Sequence, residues 1–117
     1  MTFMIVDDNA QMRRLIRSFL PEGHRIVECV DGAEAIAGYQ SHRPDWVTMD
    51  LKMPVVDGIA ATAQIKTVFP QARIIMVTEF TNDGLREAAR KAGARDYVLK
   101  EDLSPLGPLM SEPLNEP

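Results

Sequence analysis

The chain has 117 residues, 45% hydrophobic and 26% charged, with a net charge of −4. That length suits one domain with one core, and no apolar stretch approaches the ~20 residues of a membrane helix. The acidic balance argues against a broad nucleic-acid surface, which needs clustered Lys and Arg; the single cysteine forbids an intrachain disulfide, and without a basic leader the expected compartment is the cytoplasm.

Apolar strand-like runs alternate with helical patterns five times along the chain. The first run is Phe3 to Val6, closed by Asp7-Asp8. Met12, Leu15, Ile16, Phe19 and Leu20 then fall at i, i+3, i+4, i+7 and i+8, which predicts a one-faced helix ended by Pro21 and Gly23. Arg13, Arg14 and Arg17 share its other side and read as a solvated face. Ile26 to Val30 is the second strand, with Cys29 as a small buried hydrophobe. Asp31 and Glu34 are spaced for a capping box opening a helix to about His42. His24 and His42 are isolated and belong on the surface.

Trp46 to Met49 is the third strand, closed by Asp50. Asp57 can cap a helix from Gly58 to about Val68, stopped by Pro70. Ile74 to Val77 is the fourth strand, ending in Thr78. Asn82-Asp83 open a helix through Leu85, Ala88, Ala89 and Ala92, with Gly93 placed to end it. Tyr97 to Leu99 is the fifth strand, closed by Lys100. Ser104-Pro105 resembles a helix opening, but Gly107 and Pro108 oppose its continuation. The fifth helix should be short, irregular or absent, and the final residues frayed. The expected organisation is one domain over 1–103 and a Pro-rich segment over 104–117.

Five βα units predict an α/β fold, a doubly wound parallel sheet with helices on both faces. The binding site of such a sheet lies outside the carboxyl ends of its strands. Asp7, Asp8, Asp50, Thr78 and Lys100 would meet there. Each has an ordinary use as a cap, a turn or a solvated charge; four of five strands ending in compatible polar chemistry is what argues for a site. Two charges at about 4 Å interact by ~4 kcal/mol at an effective dielectric of about 20, so three carboxylates need a cation. Oxygen-only ligands suit Mg²⁺, with Mn²⁺ a substitute, better than Ca²⁺ or Zn²⁺. With the metal present, Asp50 can act as a nucleophile toward phosphorus while Lys100 and Thr78 meet the phosphoryl oxygens.

These residues stand in motifs that resemble the receiver domain of two-component response regulators over about residues 3–103. The matching pieces are Ile5-Val6-Asp7-Asp8-Asn9, Asp31-Gly32-Ala33-Glu34-Ala35, Val47 to Pro54, Asp57-Gly58, Ile75-Met76-Val77-Thr78 and Gly93 to Lys100. The resemblance implies a flavodoxin-like strand order 2-1-3-4-5. It implies Asp50 as phosphoacceptor, Asp8 as a direct metal ligand, Asp7 as a ligand through water, and the Lys52 carbonyl as a further ligand. Thr78 and Tyr97 would be the switch pair and Lys100 the phosphoryl-binding lysine. A histidine kinase or phosphotransfer protein would supply the phosphoryl group. Signalling would leave through a downstream protein partner, with a homodimer as a further option. The chain would act on itself alone, taking up the phosphoryl group and hydrolysing it.

Three departures from the family pattern stand out. Glu101 follows the lysine where a proline is common, Glu79 follows the threonine where a small residue is usual, and the Pro-rich tail replaces a longer fifth helix. Lys52 and Glu79 flank the pocket mouth with opposite charges and are expected to tune the phosphoryl lifetime. The alternative reading is an interaction module of the same fold that signals without phosphorylation. A small-molecule hydrolase or flavin carrier is disfavoured by the lack of a Gly-rich phosphate loop and of a Ser-His-Asp arrangement.

Overall fold

The computed structural model describes residues 1–111. Its elements run β1 (Thr2–Val6), α1 (Ala10–Ser18), β2 (Arg25–Cys29), α2 (Gly32–His42), β3 (Trp46–Met49), α3 (Gly58–Val68), β4 (Ile74–Thr78), α4 (Asp83–Ala92), β5 (Asp96–Leu99) and α5 (Leu106–Met110). The five strands are parallel in the order β2-β1-β3-β4-β5, as expected. Alternation along the strands makes two cores. Met4, Val6, Val47, Met49, Ile74 and Met76 pack with Ala35, Tyr39, Ala61, Ile65 and Ala89 from α2, α3 and α4. Phe3, Ile5, Trp46, Ile75, Val77 and Val98 pack with Ile16 and Leu20 around α1 and with Leu103, Leu106 and Met110 at the chain's end. No helix of the described residues is long and apolar enough to cross a membrane.

The helix starts follow the local chemistry. Asn9, Asp31, Asp57 and Asn82 each accept from a backbone amide three residues on. Glu34 folds back as expected, but to the Val30 amide at 3.0 Å, one residue before the cap. Gly93 ends α4 at φ 111, in the left-handed region where glycine carries no Cβ penalty. Cys29 is buried and free, and burial pushes its thiol up to about 11. His24 and His42 are exposed.

Four expectations need correction. Leu15 and Phe19 are 45% and 39% exposed, so the apolar stripe of α1 is wider than its contact with the sheet. Ile16 and Leu20 are buried in the core with Leu103, Leu106 and Met110, and Met12 packs half-buried against it. The arginine face is not simply solvated either. Arg13 Nε donates to Glu28 Oε1 at 2.8 Å, Arg17 donates to Glu28 Oε2 at 3.1 Å, and the Arg13 side chain is only 15% exposed.

At the fifth helix, Ser104 does not cap; its amide and hydroxyl both donate to Asp102 Oδ1. Gly107 and Pro108 lie inside α5 rather than stopping it. Pro108 is tolerated because it stands in the first turn, whose amides have no intrahelical acceptor. The helix is short, as expected, and the apolar residues do pack on the sheet: Leu103, Leu106 and Met110 are 3%, 0% and 1% exposed. The expectation of frayed final residues falls on 112–117, outside the described residues.

Candidate phosphoryl-acceptor site

Parallel pairing aligns Val6 with Met49, and Thr78 with Leu99. The residue after each strand end therefore emerges at one edge. Asp7, Asp8, Asp50, Lys52, Glu79 and Lys100 all line one cavity of about 530 Å³ there, together with Met12 and Leu15 of α1. Asp7 and Asp50 are buried, at 0% and 6% exposure, whereas Asp8 is exposed. One carboxylate oxygen from each of the three lies within 4.8 Å of the others.

Lys100 holds this cluster together. Its ammonium stands 3.0 Å from Asp7 Oδ2 and 3.1 Å from Asp50 Oδ1. Burial works to lower the ammonium's pKa, but the two carboxylates outweigh it and hold it above the usual lysine value. One cation does not balance three anions. Burial first, then the Asp7 carboxylate, pushes Asp50 up to about 6, against the pull of Lys100. Asp7 Oδ2 is fully buried, with the Lys100 ion pair in place of a well-formed hydrogen bond. A buried, under-satisfied oxygen among three carboxylates, with no His or Cys lining the cavity, fits a hard divalent cation.

The backbone fixes these side chains. Arg13 donates to the Asp7 carbonyl at 2.8 Å, and the Asn9 amide donates to Asp7 Oδ1 at 2.9 Å. The Asp50 amide donates to Val6 O at 2.9 Å, and the Lys100 amide to Thr78 O at 2.8 Å. Gly58 sits so close that a Cβ there would lie 1.9 Å from the Asp50 carbonyl oxygen. Spacing alone assigns Arg13 to solvent and gives Gly58 no contact with Asp50. Both are tertiary contacts that local spacing does not announce.

Neither Thr78 nor Tyr97 lines this cavity; Tyr97 lines another, beside Arg86. Thr78 is fully buried and its Oγ1 accepts from the Phe80 amide at 3.2 Å. The Tyr97 hydroxyl donates to the Phe80 carbonyl at 2.8 Å, so both engage the same residue. Burial raises the Tyr97 phenol pKa, opposed by Arg86 and by the Thr78 hydroxyl. The Arg86 guanidinium lies 4.6 Å from the Tyr97 ring centre. At the mouth, Lys52 Nζ lies 5.9 Å from the Phe80 ring centre. Among the described residues no ion pair joins Lys52 to Glu79.

The model of the response regulator receiver domain matches residues 3–106. The chain belongs to that family. It is 43% identical over 99 residues to the chemotaxis protein CheY of Bacillus subtilis, covering 83% of this chain and 82% of that one. The response regulator domain of Thermotoga maritima CheB superposes with a TM-score of 0.87 at 27% identity, over 100% of this chain and 98% of that one. CheY of Borrelia burgdorferi, solved as a CheX-CheY-BeF3-Mg²⁺ complex, gives a TM-score of 0.83 at 29% identity over 90% and 82%. As a receiver, the chain belongs to two-component signalling by phosphoryl acceptance, and its acidic pocket is of the kind in which receivers bind Mg²⁺.

Proposed function

We propose that this receiver takes a phosphoryl group onto Asp50 from a histidine kinase or phosphotransfer protein in the cytoplasm and thereby changes a partner-binding surface. The observation that carries the reading is Asp50 itself: buried at the floor of an open acidic cavity, ion-paired to Lys100, with its pKa pushed up to about 6. Asp7, Asp8 and Asp50, with the Lys52 carbonyl, would hold Mg²⁺. When bound, the ion supplies positive charge to offset both the carboxylates and the phosphoryl oxygens.

An Asp50 carboxylate oxygen attacks phosphorus, a P–O bond forms, and the bond to the donor nitrogen breaks with its electron pair leaving to the donor histidine. Lys100, already within 3.1 Å of Asp50, meets a phosphoryl oxygen. The acyl phosphate carries about −1.5 to −2 of charge where the carboxylate carried −1, and its oxygens draw the Thr78 hydroxyl toward the cavity. That movement would break its bond from the Phe80 amide and disturb Tyr97, anchored on the Phe80 carbonyl. Lys52 and Glu79 stand apart, which leaves the mouth open to the water that hydrolyses the acyl phosphate.

The test is incubation with a small phosphodonor and Mg²⁺, followed by mass spectrometry. Phosphate should appear at Asp50 in the wild type, and Asp50→Asn should lower incorporation at least ~10³-fold. Unchanged uptake in that variant would sink the assignment and favour a module that signals without phosphorylation.

A further inference from the structure

Of the three clustered carboxylates, Asp7 and Asp50 pair with Lys100. Asp8 is exposed and, among the described residues, its carboxylate has no hydrogen bond or ion pair. Its place at the cavity must therefore come from the backbone. The Asp7 carbonyl and the Asp8 amide belong to one planar peptide, so a bond to that carbonyl sets the direction in which the chain enters Asp8.

The bond comes from Arg13, the fourth residue of α1, whose Nη1 donates to the Asp7 carbonyl at 2.8 Å. Its Nε donates to Glu28 Oε1 at 2.8 Å, and Arg17 Nη1 donates to Glu28 Oε2 at 3.1 Å. Glu28 stands in β2 opposite Ile5 of β1, so the neighbouring strand holds the guanidinium. The Asp7 amide is tied to the same strand, donating to the Cys29 carbonyl at 3.1 Å. Asp7 is thus fixed to β2 twice: directly through its amide, and through Arg13 and Glu28 at its carbonyl.

Two features argue that this arginine serves the site rather than the helix. A cation near a helix N-terminus opposes the macrodipole, and the first turn of α1 has no acidic residue to offset it. The Arg13 side chain is also only 15% exposed, so its charge gives up hydration. A planar guanidinium can offset both costs because it donates in two directions at once, here to a carboxylate and to a carbonyl. Arg14, the next residue, is exposed and makes no such contact.

We propose that Arg13 is a positioning residue for the Mg²⁺ site: held by Glu28, it fixes the Asp7–Asp8 peptide and so places the Asp8 carboxylate at the cavity. The inference rests on the reading of Asp7, Asp8 and Asp50 as the metal ligands. It carries a sign that other roles lack. By charge alone, removing a guanidinium near three carboxylates favours a divalent cation. Removing a positioning group disfavours one. Arg13 bonds to neither Asp50 nor Lys100, so the chemistry at saturating metal should be spared.

The test is calorimetric titration of the full chain with Mg²⁺, with thermal unfolding in metal-free buffer alongside. Arg13→Met keeps the aliphatic stem and removes the donors, and Mg²⁺ affinity should fall about tenfold. Arg13→Gln, neutral and shorter, should lose affinity as well. Arg13→Lys, which retains a donor for the carbonyl, should recover most of the loss. Arg14→Gln removes the same charge one residue on and should not weaken binding. Phosphoryl uptake from a small donor should return to within about twofold of wild type in Arg13→Met once Mg²⁺ saturates. Affinity equal to or tighter than wild type in Arg13→Met and Arg13→Gln would overturn the proposal, whatever their Tm. An equal loss in Arg14→Gln would do the same. A wild-type chain that binds no Mg²⁺ would overturn the metal-site reading and the proposal together.

Discussion

The two edges of one sheet treat like charge in opposite ways. At the carboxyl edge Asp7 and Asp50 are buried, and Lys100 is the cation paired with both among the described residues. At the amino edge Arg43 and Arg95 stay exposed, and aromatic rings carry the guanidinium faces. Burying charge raises its energy, while stacking a solvated guanidinium costs little. The carboxyl edge is therefore held under electrostatic tension that a cation or a phosphoryl group can discharge. The tension at the amino edge is milder: burial, then the charge of Arg95, lowers the Lys66 pKa.

The contrast can be broken most sharply at Lys100. Lys100→Met removes the cation within 3.1 Å of both buried carboxylates. Phosphoryl uptake from a small donor should fall by roughly 10²–10³, measured with Mg²⁺ saturating. A fall below tenfold would mean that the buried carboxylates do not depend on Lys100.

Metal affinity comes next. Asp8→Ala is expected to weaken Mg²⁺ binding by at least about tenfold, and Asp7→Ala by less if that carboxylate acts through water. Equal affinity of Asp8→Ala and wild type in a metal titration would remove the exposed carboxylate from the site.

The tension itself has a pH signature. Asp50 has its folded pKa raised from the usual 3.8 to about 6. Between those values the folded state binds the proton more than the unfolded state does, so metal-free stability falls as pH rises through that window. In metal-free buffer Asp50→Asn should match wild type near pH 4 and exceed it by about 1–3 kcal/mol at pH 7, read by denaturant unfolding. A constant difference across pH would show that burial does not strain Asp50.

The smallest effect belongs to the amino edge. Arg95→Gln should change stability by less than about 1 kcal/mol, the size of an exposed cation–π contact, with no dependence on Mg²⁺. A large or Mg²⁺-dependent loss would erase the distinction between the edges.

The sequence by itself determined the βα rhythm, the caps at Asp31, Asp57 and Asn82, and the polar ends of four strands. These are local: periodicity follows from backbone geometry, and a cap needs only a side chain within reach of the next turn. From the same local pattern came the parallel sheet whose one edge gathers Asp7, Asp8, Asp50 and Lys100. Tertiary structure alone decided the rest. It turned Arg13 from solvent onto the Asp7 carbonyl, and set Gly58 against the Asp50 carbonyl. It left Leu15 and Phe19 exposed on a helix whose spacing reads as one apolar face. It gathered Arg43, Lys66, Arg73 and Arg95 around one cavity. Each of these outcomes depends on which segments become neighbours when the sheet closes, and contacts between different elements follow no local periodicity, even where Arg13 and Asp7 lie only six positions apart.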